Sequence, residues 1–460
     1  MSWSQIRQHL ETILGPNSIF DDEDVLESFA VDETHERKHR PDLVVKPRSV
    51  DEIAALLRFC NDHDLPVTPR GGGSGVSGGA LAVRGGVILC MERLNKIEEI
   101  DPADMTVTVE TGAITGEVQE LLLEQGLCLP PDPGSRTWCQ VGGNLAEMAA
   151  GPKSVKYGAF KDYVLNLQVV LANGEVIWTG ANVRKMACGY NLTQLMLGSE
   201  GTLGVITRVV FKVIPAPTEE IVLRLAFDDI KDAGQMISRV FTSGITPSEV
   251  EIMDKDAIEA TAPKCAEQPD PETAAYLWIG FDGTREDHLM EDAERIAELA
   301  EELGAADALI ATDPEQKRQL WEYRHKVGEA VIDRTEFRDV DISFPRSRLY
   351  EIVSGVKDIG DRYGFRSVIF GHCGDGNVHV QVLRDDMNEA DWNGPVRAGI
   401  AEIYELAVST GGAMSGEHGV GCTLTDHMEK AFGATVMNLM RGVKQVFDPK
   451  GILNPGKIIS

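Results

Sequence analysis

Pro69-Arg-Gly-Gly-Gly-Ser-Gly-Val-Ser-Gly-Gly-Ala80 decides how the first half of this chain is read. Inside it, Gly73-Ser-Gly-Val-Ser-Gly78 satisfies the spacing G-x-G-x-x-G just after an extended segment. The dinucleotide fingerprint with that spacing requires its last glycine to open a helix whose N-terminus receives a pyrophosphate. Gly78-Gly-Ala-Leu-Ala-Val-Arg-Gly-Gly86 is too rich in glycine for a good helix, and a strand follows at Val87–Leu89. A Rossmann site is therefore the weaker reading. What the five glycines between 71 and 78 offer, with Ser74, is backbone that takes positive φ and turns N–H groups toward a ligand oxygen. The loop reads as a phosphate cradle without a helix, and a bare surface loop is the bland alternative.

Around this loop the chain alternates strand and helix. Leu43–Val45 is a short strand, and Ser49-Val-Asp-Glu52 has the S-x-x-E pattern of a capping box. Ile53, Leu56, Leu57 and Cys60 then follow at helical spacing, before Pro66-Val-Thr-Pro69 returns to extended chain. Further strands are expected at Thr106–Glu110, Val164–Leu171, Val176–Thr179 and Val205–Val213, with a helix near Gly116–Gln125 stopped by Gly126. Ile214-Pro-Ala-Pro-Thr-Glu-Glu220 reads as a linker. Beyond it, strands at Ile221–Phe227, Ala275–Phe281, Val368–Phe370 and Val378–Val382 alternate with long acidic helices such as Glu286–Leu303, which describes a second α+β domain.

Composition narrows the possible partners. Of 460 residues, 43% are hydrophobic, and 44 Lys+Arg face 73 Asp+Glu, for a net charge of −29. That charge repels phosphate backbones and anionic leaflets, so neither nucleic acid nor a membrane surface is an expected partner. An anionic small substrate would need a local arginine or metal ion to override the global field. No apolar run reaches the length of a spanning helix, and Met1–Leu10 lacks a signal-peptide core. The eight cysteines form no C-x-x-C pair, so a cluster carried by this chain is not expected, and the thiols read as reduced in a cytoplasmic setting.

His372 and His379 flank the turn Gly374-Asp-Gly-Asn377. On an unbroken strand they would face opposite sides, and the turn lets both imidazoles converge. Glu417-His418 lies in a second glycine-flanked loop. Two imidazoles and a carboxylate with open positions suit Zn²⁺ or another divalent first-row metal acting as a Lewis acid, with iron and manganese as alternatives to zinc. A lone histidine is usually structural. Four such groups in two glycine-framed loops favour a site.

The glycine loop resembles the pyrophosphate loop of the vanillyl-alcohol-oxidase type of FAD-binding fold. Pro130-Pro-Asp-Pro-Gly-Ser135, Val141-Gly-Gly-Asn-Leu-Ala146, Lys156-Tyr-Gly158 and Leu197-Gly-Ser-Glu-Gly-Thr-Leu-Gly-Val-Ile-Thr207 continue that resemblance in order. Gly371-His-Cys-Gly-Asp-Gly-Asn-Val-His379, Ser415-Gly-Glu-His-Gly-Val-Gly421 and Phe447-Asp-Pro-Lys-Gly-Ile-Leu-Asn-Pro-Gly-Lys457 resemble the C-terminal part of FAD-linked D-2-hydroxy-acid dehydrogenases. That family includes D-lactate dehydrogenases, the flavin subunit of glycolate oxidase and D-2-hydroxyglutarate dehydrogenase. The resemblance implies an α+β architecture: a two-part FAD-binding domain (1–218), a ferredoxin-like substrate or cap domain (219–410), and a segment (411–460) returning to the FAD site.

It also implies roles for particular residues. Arg70, Gly71, Gly72, Gly73, Ser74, Gly75, Gly79 and Ala80 would hold the pyrophosphate side of FAD. Pro131, Asp132, Ser135, Gly142, Gly143 and Asn144 would line the flavin. Gly151, Tyr157, Gly158, Glu200, Gly204, Ile206 and Asn454 would follow the rest of the cofactor. The loop has no histidine to tether FAD, so the cofactor is expected to be non-covalent. His372, His379 and Glu417 match metal-binding positions, His418 the base, and Arg324 the arginine for the substrate carboxylate, with Asn377 beside substrate or flavin. For Arg324 the bland reading is a surface ion pair with Glu322 or Glu329.

The implied reaction oxidises a small D-2-hydroxy acid to the 2-oxo acid by hydride transfer to flavin N5. Electrons then pass to a non-NAD acceptor: a quinone, a cytochrome, an iron–sulfur subunit or an electron-transferring flavoprotein. Asp339 stands where relatives that take a second carboxylate carry lysine, which favours D-lactate or glycolate over 2-hydroxyglutarate. Two further readings are a non-redox FAD transferase of the alkyl-glycerone-phosphate synthase type and a flavin subunit of a multi-subunit electron-transfer complex. The location expected is cytoplasmic, or peripheral at a membrane through a partner, with a homodimer as one oligomeric form.

Overall fold

Short β-branched and leucine-rich runs build the first sheet. In it Leu43–Val45 and Val67–Arg70 each pair in parallel with Val87–Cys90, and Ile19–Phe20 closes one edge antiparallel. The computed structural model describes residues 1–34 and 37–459. They divide into two units: one from residues 1–150, 159–216 and the segment from Glu417 onward, the other from 151–158 and 217–416.

In the first unit, helix Val50–Asp62 makes the crossover between parallel strands and buries Ile53, Leu56, Leu57 and Cys60 against Leu43, Val45, Val67 and Leu89. The Ser49 hydroxyl accepts the Glu52 N–H at 3.2 Å. The reciprocal bond of the expected capping box goes elsewhere: the Glu52 carboxylate accepts the N–H of Arg48, at 2.6 Å. Either bond satisfies a donor ahead of the first turn, so the cap still works. Val67–Arg70 ends at the carboxyl edge of its parallel pair, where open α/β sheets bind ligands, and the glycine loop begins there. As expected, residues 78–86 form neither helix nor strand.

A five-stranded antiparallel sheet follows in the order Ile97–Asp101, Thr106–Glu110, Val205–Lys212, Val164–Val170, Val176–Trp178. Helix Thr115–Leu123 ends before Gly126, whose φ is 70°. Several helices were not foreseen, among them Trp3–Leu14 and Val141–Glu147. Trp3–Leu14 is capped by Ser2 and Gln5 and buries Ile6, Leu10 and Leu14. Val141–Glu147 turns the expected glycine pair Gly142-Gly143 into the first turn of a short helix. Near the end of the chain, Ile452 and Asn454 exchange backbone bonds with Val67, so the last segment runs along the strand that delivers the glycine loop.

The second unit is a seven-stranded antiparallel sheet. Its order is Ala305–Ala311, Glu219–Phe227, Ala275–Gly283, Glu249–Asp254, Arg366–Gly371, Asn377–Leu383, Phe337–Ser343. Every residue of Glu249–Asp254 and Asn377–Leu383 is buried, which places both faces of these strands under cover. Helix Glu286–Glu302 buries Leu289, Ala293, Ile296, Leu299 and Ala300 along one stripe. Among the described residues no helix is long and apolar enough to cross a membrane.

Candidate active site

A cavity partly open to solvent lies in the first unit. Arg70, Gly71, Gly72, Gly73, Ser74, Gly75, Gly79 and Ala80 line it from the glycine loop. Gly142, Gly143 and Asn144 line it from helix Val141–Glu147, and Glu200, Gly204 and Ile206 from the segment entering strand Val205–Lys212. The glycines are structurally demanded. A Cβ on Gly72 would stand 2.7 Å from the Trp138 carbonyl oxygen, and Gly73 has φ of 78°. At Gly143 a Cβ would meet nothing within 4 Å, so any side chain there would take up cavity space.

Several polar groups of this wall are already engaged. The Arg70 guanidinium donates to the Phe29 and Val31 carbonyls at 3.2 and 2.9 Å and lies over the Phe29 ring, and burial lowers its pKa. The Asn144 amide donates to Thr115 Oγ1 at 2.5 Å. Pro131, Asp132 and Ser135 do not line the cavity. Asp132 pairs with Arg136 at 3.4 Å, and the Pro131 carbonyl accepts Gln119 Nε2 at 2.8 Å. Gly151, Tyr157 and Gly158 belong to the other unit, where the Tyr157 hydroxyl donates to Asp282 at 2.7 Å.

The end of the chain completes the cavity wall. Glu200, in a left-handed backbone with φ of 50°, accepts the N–H groups of Val420 and Gly421 at 2.7 and 2.8 Å. Burial raises its pKa, and those two N–H groups counter it. Asn454 donates to the carbonyls of Gly79 and Glu200 at 3.0 and 2.6 Å, tying the glycine loop to the Glu200 turn. Glu147 also faces the cavity and was not foreseen. Its pKa is pushed up to about 8, chiefly by burial, then by the neighbouring Glu200 carboxylate, while His418 pulls it down. His418 therefore stands within electrostatic reach of this wall, its Nε2 3.8 Å from Glu417 Oε1.

In the second unit, strand Arg366–Gly371 leads into His372 and the turn leads back through Asn377 to His379. The hairpin brings the two imidazole centroids to 5.4 Å, nearly perpendicular, as the turn between them predicted. His372 Nδ1 lies 2.5 Å from Glu251 Oε1, and the other Glu251 oxygen accepts the Arg324 Nε–H at 2.7 Å. Arg324 thus has Glu251 as its partner, in place of the Glu322 or Glu329 that the bland reading supplied; Lys326 and Lys264 take those two acids. The reason is tertiary: the guanidinium turns inward from helix Glu322–Ile332 and lies 5.1 Å over the Phe370 ring. Burial alone would raise the Glu251 pKa, but His372 and Arg324 outweigh it and hold it below the usual range. Asn377 donates to Asp341 Oδ1 and to the Ile342 carbonyl at 2.6 and 2.9 Å.

Residues 41–180 match the family described as FAD binding domain, and 216–458 match FAD linked oxidases, C-terminal domain. A D-lactate dehydrogenase of Anaerostipes hadrus is 36% identical over 97% of this chain and 95% of its own length. The chain belongs to the FAD-linked D-2-hydroxy-acid dehydrogenase family. A glycolate oxidase subunit GlcD of Bacillus subtilis is 33% identical over 100% of the chain and 98% of its own length. Among solved structures, p-cresol methylhydroxylase with substrate bound superposes with a TM-score of 0.81 at 19% identity, over 100% of this chain and 97% of that one. That likeness shows the vanillyl-alcohol-oxidase-type fold.

This FAD-linked dehydrogenase takes FAD as its cofactor, a small substrate and an electron acceptor. The glycine-walled cavity fits FAD through what it lacks: side chains at Gly71–Gly73 and Gly143, where a dinucleotide must lie against main chain. Glu251, Glu147, Asp341 and the cavity-lining Gln140 are among the polar residues the sequence reading missed. A signal for Glu251 existed. Strand Glu249–Asp254 is fully buried yet carries three acids, and a buried carboxylate is costly unless paired.

Proposed function

We propose that this chain oxidises a short D-2-hydroxy acid, D-lactate or glycolate, to its 2-oxo acid, and that the electrons leave through FAD to a non-NAD acceptor. The group of half-buried Arg324 with buried Glu251, His372 and His379 carries the reading, because it gathers a guanidinium and two imidazoles in a chain whose net charge would otherwise repel a carboxylate. Arg324 binds the substrate carboxylate, Asn377 orients the substrate, and His418 takes the hydroxyl proton. Bound FAD supplies the two-electron acceptor. The printed names of the A. hadrus and B. subtilis relatives support a short acid, as does Asp339, whose charge opposes a second carboxylate. A transferase of the alkyl-glycerone-phosphate synthase type would want a basic phosphate site, which the −29 charge disfavours.

His372, His379 and Glu417 are proposed to hold a divalent ion, zinc first and iron or manganese as alternatives. A carboxylate on the far nitrogen of a ligating histidine is the usual companion of such sites, and Glu251 at His372 Nδ1 supplies one. The ion would act as a Lewis acid on the substrate oxygens. FAD is proposed to bind without a covalent tether, since residues 69–80 contain no histidine. A second reading, in which the chain is the flavin subunit of a larger electron-transfer complex, is favoured by the word subunit in the B. subtilis relative's name. Anaerobic titration of the FAD-loaded protein with a panel of 2-hydroxy acids tests the main proposal. Bleaching by D-lactate or glycolate is expected, and a flavin that stays oxidised with every acid would refute it.

A further inference from the structure

Three acids line strand Glu249–Asp254, and the structure treats one of them differently. Glu249 faces Lys153 at 3.7 Å and Asp254 faces Lys357 at 2.7 Å, each a buried acid balanced by a lysine. Glu251, only 1% exposed, spends one oxygen on Arg324 and the other on the imidazole of His372. Simple neutralisation would need no imidazole.

We infer that Glu251 is a positioning residue that fixes, from one buried carboxylate, both the plane of the Arg324 guanidinium and the tautomer of His372. The inference rests on the proposed function and deepens it. An arginine offers its donors along two edges. Holding the Nε–H at 2.7 Å, with the guanidinium 5.1 Å over Phe370, fixes its plane and directs the Nη pair away from Glu251. That pair is the edge that grips a carboxylate with two parallel bonds. A carboxylate can only accept, so the His372 nitrogen it faces at 2.5 Å carries the proton. The lone pair is then on Nε2, the nitrogen that serves a substrate hydroxyl or a metal. The same carboxylate couples the residue that recognises the acid to an imidazole of the proposed ion site that would act on the hydroxyl oxygen, and so selects substrates carrying both groups on adjacent carbons.

Glu251→Gln and Glu251→Asp, in the FAD-loaded full chain, test this. Glutamine can accept from only one of the two partners, and its amide presents a donor to the other. Two measurements are made: ¹⁵N shifts of selectively labelled histidine, which report the His372 tautomer, and anaerobic flavin reduction, which separates half-saturation from limiting rate. For Glu251→Gln the expected results are a changed tautomer and a half-saturating substrate concentration raised about tenfold or more, with the limiting rate less affected. Glu251→Asp, a methylene shorter but still a double acceptor, should recover part of both. Glu249→Gln on the same strand serves as the burial control and should keep wild-type half-saturation. Unchanged half-saturation or an unchanged tautomer in Glu251→Gln overturns the inference. Should Glu251→Gln fail to fold, the same two readings on Glu251→Asp decide, because an aspartate indistinguishable from wild type contradicts a role set by reach. If no 2-hydroxy acid reduces the wild-type flavin, the proposed function fails, and the tautomer alone then judges Glu251.

Discussion

Glu147 points its carboxyl at the glycine loop so closely that a Cβ on Gly75 would stand 2.6 Å from Glu147 Oε1. A Cβ on Gly79 would stand 2.9 Å from the same oxygen. An acid therefore occupies the stretch of loop that the family resemblance assigns to a pyrophosphate. Its pKa, raised from 4.5 to about 8 chiefly by burial, has a consequence for stability. The folded chain binds the Glu147 proton more tightly than the unfolded chain does. Its stabilising contribution is complete below pH 4.5 and is lost as pH rises through about 8. Urea unfolding of the FAD-free protein across that window should show stability falling with pH, and Glu147→Gln should flatten the slope. A slope unchanged by the substitution would contradict the assignment.

Gly143 separates cofactor binding from folding. Nothing lies within 4 Å of a Cβ there, and the residue sits in a helix, so Gly143→Leu should leave the melting temperature of the FAD-free protein near wild type or above it. The added side chain projects into the cavity and should weaken FAD binding about tenfold or more. Fluorescence titration of FAD into the stripped protein measures this. Wild-type affinity would mean that the cofactor does not use this wall.

His418→Ala should abolish flavin reduction by a 2-hydroxy acid and leave the bound FAD spectrum intact, since His418 is assigned the proton and no cofactor contact. Rapid-mixing absorbance would detect reduction, and a near-normal rate would remove His418 as the base.

For the metal, elemental analysis of protein purified without chelators should give roughly one divalent ion per chain. His379→Ala should release it. Persistent absence of metal from active protein would confine His372 and His379 to direct contacts with substrate.

The strands and the crossover helix were legible because their signals are local. Thr106–Glu110 needs only its own alternation, and helix Val50–Asp62 only the spacing of Ile53, Leu56, Leu57 and Cys60. Trp3–Leu14 carries the same local signals, with Ser2 and Gln5 as cap and Ile6, Leu10 and Leu14 one turn apart, so this helix too is legible in the sequence. The helix at Val141–Glu147 was hidden by Gly142 and Gly143, which have poor helix propensity; packing demands only the first, since a Cβ on Gly142 would meet Thr111 at 3.0 Å while one on Gly143 would meet nothing within 4 Å.

By itself the sequence determined the glycine cradle, the pair of histidines on a turn and the family, because ordered motifs and a glycine's conformational range are properties of the chain. Only the tertiary structure decided that Arg324 belongs to Glu251, that Glu147 faces the glycine loop, and that Asn454 ties Gly79 to Glu200. Arg324 and Glu251 lie 73 residues apart, and Asn454 lies 375 from Gly79. No local preference links residues so distant. Burial does, because a charge or amide taken out of water must find its partner wherever the fold brings one within reach.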